Sequence, residues 1–321
     1  MPDYLVIQHM EPDHSASIPA FLKKYPNATV VSTAKGFQFM EQFFPEFFAG
    51  QGLPAEQRIV AANDGVLELG QHSLHFVYAP MVHWPEVMMT YEATEKILFA
   101  ADGFGKFGAL DVEEEWTDEA RRYYIGIVGK YGPQVQAVLK KAAGLDIQTI
   151  CSLHGPVLKE NLGFYLEKYD KWSSYQPEES GVVIAYASVY GNTRNAAEYL
   201  ADVLQEKGQK TVLYDLARCD KAKAVADAFR YDKLVLAGIT YNGDLFPCMR
   251  SFIEGLTERN YQNRKVAIIE NGTWAPMAGK LILGMFEKSK NLTFTETTVS
   301  IKSAMNEQNK KEIGKLAEEL S

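Results

Sequence analysis

Four side chains of the kind that bind metal ions stand within six residues near the start of the chain: His9, Glu11, Asp13 and His14. They follow the apolar run Tyr4-Leu5-Val6-Ile7 and precede Ser15-Ala16-Ser17, which can start a helix, so they occupy a loop at the end of a strand. Carboxylates crowded this closely repel one another unless a cation lies between them. Three more residues repeat the setting. His83 lies in Pro80-Met81-Val82-His83-Trp84-Pro85, Asp102 follows Ile97-Leu98-Phe99-Ala100-Ala101, and His154 follows Ile150-Cys151-Ser152-Leu153. A lone histidine is usually an ordinary surface or core residue. Seven ligand-type residues, all on loops after strands, point instead to a metal site. His72 and His75 flank an alternating strand and read as structural.

A second chemistry-bearing pattern lies in the C-terminal half. Ala187-Ser188-Val189-Tyr190-Gly191-Asn192-Thr193 joins an apolar strand to a helical pattern. A turn of hydroxyl residues and glycine at a helix N-terminus offers free backbone N–H groups and the positive end of the helix dipole to a phosphate. It has no lysine, so it is not a Walker A loop, and no G-x-G-x-x-G stands at a strand-to-helix turn to suggest a dinucleotide. Two further loops, Thr240-Tyr241-Asn242-Gly243-Asp244 and Asn271-Gly272-Thr273-Trp274, end strands on the same side. Each offers an aromatic ring and small polar groups to a flat ring system.

The elements that must position these residues fall into two halves. Strand patterns at 182–186, 211–214, 234–239, 266–270 and 292–299 alternate with helical patterns at 194–207, 249–257, 278–288 and 307–319. That alternation predicts a doubly wound α/β domain with a five-stranded parallel sheet, whose ligands bind beyond the C-terminal strand ends. The first half mixes strands (4–7, 29–32, 74–78, 97–101, 147–152) with helices (37–44, 119–130, 134–143, 162–171). A polar stretch around Ser173-Ser174-Tyr175-Gln176-Pro177 separates the two textures, which places the domains at 1–177 and 178–321.

The 321 residues allow two domains of ordinary size. A net charge of −8 argues against a nucleic-acid partner. No apolar run approaches the ~20 residues needed to span a bilayer, and the N-terminus has no signal-peptide pattern. The three scattered cysteines, Cys151, Cys219 and Cys248, form neither a disulfide framework nor a CxxC pair, and a cytoplasmic location suits them.

The first constellation closely resembles the metallo-β-lactamase superfamily, whose metal loop reads H-x-H-x-D-H. Here Glu11 takes the place of the second histidine, and H-x-E-x-D-H is the pattern of the flavodiiron branch. The resemblance implies an αββα sandwich with two irons: His9, Glu11 and His83 on one, Asp13, His14 and His154 on the other, and Asp102 bridging. The added hard oxygen suits iron better than an all-imidazole set suited to zinc. The second constellation is similar to flavodoxins. It implies FMN, with Ser188, Val189, Tyr190, Gly191, Asn192 and Thr193 around the phosphate and the other two loops beside the isoalloxazine ring.

Together the halves resemble the flavodiiron proteins over essentially the whole chain. What that implies is an oxidoreductase of dioxygen or nitric oxide, a head-to-tail homodimer or a tetramer, and a separate electron donor such as rubredoxin. One rival is a zinc hydrolase of the metallo-β-lactamase type fused to a flavodoxin domain, and another is a redox carrier or sensor. The family carries further strands ahead of the metal loop, whereas here Met1 lies eight residues before His9, so a sandwich shortened at its N-terminus is expected.

Overall fold

Val30 and Val31 show how the first part of the chain is laid out. Neighbouring residues of a strand point to opposite faces, and both of these are fully buried. Val30 packs with Leu22, Phe37 and Met40, which come from helices Ile18–Lys24 and Ala34–Phe43. Val31 packs instead with Phe76 and Met88 of a second sheet. One strand is therefore covered by helices on one face and by a sheet on the other, the layering of a sandwich.

The computed structural model describes residues 1–50 and 53–321, which divide into the units Met1–Ser173 and Ser174–Ser321. In the first unit β1 (Tyr4–Val6), β2 (Thr29–Ser32) and β3 (Arg58–Val60) form a parallel sheet in that order. The facing sheet runs β4 (Val66–Glu68), β5 (Ser73–Tyr78), β6 (Met88–Glu92), β7 (Ile97–Phe99) and β8 (Thr149–Cys151). It is antiparallel up to β7, and β8 pairs parallel to β7. Helix Gly132–Ala142 lies against β5. Helices Trp116–Ile127 and Leu162–Ser173 interlock through Tyr124, Tyr169 and Trp172, with ring centroids 5.1 to 5.4 Å apart.

The second unit has β9 (Glu179–Tyr186), β10 (Thr211–Asp215), β11 (Tyr231–Tyr241), β13 (Arg264–Asn271) and β14 (Leu292–Ile301), with short β12 (Asp244–Leu245) paired back on β11. The five long strands are parallel in the order β10-β9-β11-β13-β14. This is the flavodoxin-like order with its switch between β9 and β11. Val182, Ile184 and Tyr186 of β9 pack under helices Asn192–Glu206 and Glu307–Glu319 through Leu200, Leu204, Ile313 and Leu316. Strands covered on both faces read as unbroken apolar runs, and that is why this half is plain in the sequence.

The expected strands are all present, with ends shifted by a few residues. The sequence reading did not name β3, β4 or β6. All five residues of β6, Met88–Glu92, are buried, but Thr90 and Glu92 interrupt the apolar run, so it reads neither as a fully buried strand nor as an alternating one. Among the described residues no helix is long and apolar enough to cross a membrane.

Candidate functional site

Short segments that follow the strands of both sheets deliver the seven ligand-type residues to one place. His9 lies three residues past β1, His83 between β5 and β6, Asp102 three residues past β7, and His154 three residues past β8. Asp13 and His14 belong to the one-turn helix Pro12–Ser15, with Glu11 at its N-cap. Ala101 and Phe104 on either side of Asp102 both take left-handed backbone angles (φ 49° and 65°), rare for residues with a side chain. The Phe104 N–H donates to the Tyr169 hydroxyl at 2.6 Å, which helps hold that turn.

The side chains form two groups. Ligand atoms of His9, Glu11, His83 and Asp102 all lie within 4.8 Å of one another, and so do those of Asp13, His14 and His154. Asp102 belongs to both by geometry. Its Oδ2 is 3.3 Å from His9 Nε2 and 3.1 Å from His83 Nε2, while its Oδ1 is 3.1 Å from His14 Nε2 and 3.6 Å from His154 Nε2. Glu11 Oε2 sits between His9 Nε2 at 3.3 Å and His83 Nε2 at 3.1 Å. Asp13 Oδ2 sits 3.5 Å from His14 Nε2 and 3.3 Å from His154 Nε2.

These donors fit metal ions better than they fit each other. His14 Nε2 and Asp102 Oδ1 are buried and only 3.1 Å apart, yet neither makes a directed hydrogen bond. Buried polar atoms rarely go unpaired unless something else is meant to satisfy them. Convergent lone pairs around one point are the arrangement of a coordination site. Electrostatics agree. Burial by itself would lower the pKa of His14 and His83, but the Asp102 carboxylate, reinforced by Glu11 and, for His14, Asp13, outweighs it and raises both. Burial would likewise raise Asp102, and the histidines reverse it, holding the carboxyl well below the usual carboxylate range. Three carboxylates thus draw positive charge into a buried centre. His72 and His75 lie elsewhere: His72 Nδ1 is 3.0 Å from Glu92 Oε1 and His75 Nε2 is 3.2 Å from Ser73 Oγ.

In the second unit a cavity of about 570 Å³ opens beyond the strand ends. Ser188, Val189, Tyr190, Asn192 and Thr193 line one side, at the N-terminus of helix Asn192–Glu206. Gly191 caps that helix in a left-handed conformation (φ 91°), and its N–H donates to Ser188 Oγ at 3.2 Å. Thr240, Tyr241, Asn242 and Gly243 line another side, with Asn271, Gly272, Thr273 and Trp274 completing it. Tyr190 (92% exposed) and Trp274 (90% exposed) leave large rings open to solvent beside the cavity, where a flat ligand could cover them.

Two of the loop residues do not line the cavity. Gly191 serves as the helix cap. Asp244 turns away, where its carboxylate accepts the Leu245 N–H at 2.8 Å and pairs with Arg250. Two others have their polar groups engaged in the fold. Thr240 Oγ1 accepts the Met277 and Ala278 N–H groups at 2.8 and 3.2 Å. The Asn271 amide exchanges hydrogen bonds with the Ser303 backbone at 2.9 and 3.1 Å.

The N-terminal unit matches the family model described as ODP family beta lactamase over residues 2–155, and residues 183–311 match a flavodoxin domain model. A rubredoxin oxygen:oxidoreductase structure from Desulfovibrio gigas superposes with a TM-score of 0.89 at 23% identity, covering 98% of this chain and 79% of that one. The chain joins a beta-lactamase domain of the ODP type to a flavodoxin domain. A diflavin flavoprotein A 1 of Synechocystis is 33% identical over 68% of this chain, and 38% of that protein is covered. A nitric oxide reductase of Moorella thermoacetica is 27% identical over 87% of this chain and 70% of its own length. The chain spans less than two thirds of the length of the first curated relatives it matches.

Several residues of the two sites escaped sequence reasoning. Ser303, Ile239, Ala275 and Met277 also line the cavity, brought there by strand order rather than by any motif. Tyr123 is buried with its ring 5.5 Å from that of His154. Burial, then the Asp102 charge, pushes its phenol pKa far up, so it stays a hydroxyl donor. Glu86 backs His9 from outside the ligand groups.

Proposed function

We propose that the chain reduces dioxygen to water, nitric oxide to nitrous oxide, or both, at a two-iron centre supplied with electrons through FMN. The observation that carries this reading is Asp102, whose two oxygens face two different histidine groups. A carboxylate so placed can bridge a metal pair, with His9, Glu11 and His83 on one ion and Asp13, His14 and His154 on the other. When bound, two ferrous ions would polarise the diatomic and supply two electrons, and reduced FMN two more, enough for the four-electron reduction of dioxygen.

The protein's own contribution is geometric and electrostatic. Glu11, Asp13 and Asp102 give hard oxygen donors, which suit iron. The histidines around buried Asp102 hold its carboxyl well below the usual carboxylate range, which favours the charged form a metal ligand needs. In the second unit, the helix N-terminus at Asn192 and Thr193 suits the FMN phosphate, and Tyr241 and Trp274 suit the ring. The names of the relatives, nitric oxide reductase and rubredoxin oxygen:oxidoreductase, are consistent with either substrate and with a rubredoxin-type donor. A head-to-tail homodimer would bring one subunit's flavin to the other's irons. No feature of the site favours the hydrolase reading, which leaves the flavodoxin unit without a task.

Metal and flavin analysis of protein produced with adequate iron tests the proposal. About two irons and one FMN per chain are expected, given this donor set. Full zinc occupancy with hydrolytic turnover would overturn it.

A further inference from the structure

Glu86 belongs to neither ligand group, yet it is 3% exposed and touches the centre from behind. Its Oε1 accepts two hydrogen bonds, from His9 Nδ1–H at 2.7 Å and from the Met10 N–H at 3.0 Å. It lies three residues after His83, on the segment between β5 and β6, and so ties one ligand loop to another. That segment is itself fixed. Thr33 Oγ1 donates to the Glu86 carbonyl at 3.0 Å while accepting the Gly36 N–H at 2.9 Å. On the other side Ser15 Oγ donates to the Met10 carbonyl at 3.0 Å. Trp84 holds the His9 ring edge-on, with centroids 5.2 Å apart at 89°.

A latch between two loops could be built from neutral groups, and burying a carboxylate costs several kcal/mol unless its charge is used. The use follows from imidazole chemistry. A histidine nitrogen ligates only through a free lone pair, and a hydrogen-bond acceptor at one nitrogen keeps the proton there. A charged acceptor also makes the far nitrogen more basic. His9 Nε2 is the nitrogen facing Glu11 and Asp102, both at 3.3 Å. Among the described residues, His14, His83 and His154 have no carboxylate hydrogen-bonded at Nδ1.

We infer that Glu86 is the positioning residue for His9. Its carboxylate selects the tautomer protonated at Nδ1, aims Nε2 into the Glu11–Asp102–His83 group, and strengthens metal binding in that group and not in the other. The inference rests on the metal reading of the site.

The test uses the full chain stripped of metal, with cobalt(II) as the probe under anaerobic conditions and 15N-labelled histidine for NMR. Glu86→Gln keeps the shape of the side chain and removes its charge. In it, cobalt affinity of the His9 group should fall about 10–100-fold, with a changed visible spectrum, while the His14–His154 group keeps its affinity. Glu86→Asp, which restores the carboxylate, should recover part of the loss. In the metal-free wild type, the His9 nitrogens should report a proton fixed at Nδ1. Equal affinities in wild type and Glu86→Gln would overturn the inference while leaving the metal reading intact. So would a wild-type His9 protonated at Nε2, a result that does not depend on any variant folding. A wild-type chain that binds no cobalt would overturn both.

Discussion

Asp102 is the side chain that joins the two groups, because Oδ2 faces His9 and His83 while Oδ1 faces His14 and His154. Asp102→Asn keeps its size and removes the charge and one acceptor. Metal content after gel filtration should collapse, since a shared ligand is lost to both ions and neighbouring charges are left uncompensated. FMN content should be unchanged, because that cavity belongs to the other unit. A different residue sets an acid limit. Burial would raise the pKa of Glu92, but the N–H groups of Glu95 and Thr94, together with His72, hold it at about 2. A carboxylate depressed from 4.5 contributes stability above that value and loses it as pH falls toward 2. Glu92→Gln should therefore melt below wild type at neutral pH, with the gap closing between pH 4.5 and 2. A constant gap would show that the charge plays no part. The seven ligand types were legible because each follows an apolar strand at short range. Glu86 was not, because its partner His9 lies 77 residues away and only the pairing of loops brings them together.

At the scale of elements, helix starts and strand ends decide what the flavin loops can offer. Thr240 reads as a cofactor contact in the sequence, but its hydroxyl caps helix Ala278–Met285 by accepting two N–H groups. Thr240→Val should cost the flavodoxin unit about 0.5–2 kcal/mol, the usual loss for a helix cap, whether or not FMN is present. Chemical denaturation followed by circular dichroism measures it, and Thr240→Ser should restore most of the loss. Asp244 shows the same limit: its position after β11 suggests the cavity, and Arg250, one turn into the next helix, draws it away. Parallel strands of the second unit announce themselves as apolar runs, whereas β6 of the first unit is hidden because buried Thr90 and Glu92 break its run. Local pattern thus locates a strand, and the neighbours on each face settle what its end residues do.

On the scale of the whole molecule, Tyr175 marks where the second unit begins to be held. The guanidinium of Arg264, 3% exposed, donates to the Tyr175 carbonyl at 2.7 Å and to the Tyr231 carbonyl at 2.7 Å. A fragment 174–321 should fold alone and bind FMN, and should be more stable than 180–321, which leaves that buried charge one acceptor short. Melting temperatures and flavin content of the two fragments check this. The fragment 174–321 should accept electrons but consume dioxygen no faster than free FMN, because it lacks the metal groups. On the proposed function, a diatomic molecule is reduced only when both units are present. Anaerobic stopped-flow of the fully reduced, iron-loaded, FMN-loaded chain, mixed in turn with dioxygen and with nitric oxide, puts this to the test. Flavin and iron should be reoxidised far faster than free FMN by at least one of the two gases, and where that gas is dioxygen, four electrons should be consumed per molecule with no hydrogen peroxide released. Reoxidation no faster than that of free FMN with both gases would contradict the proposed function.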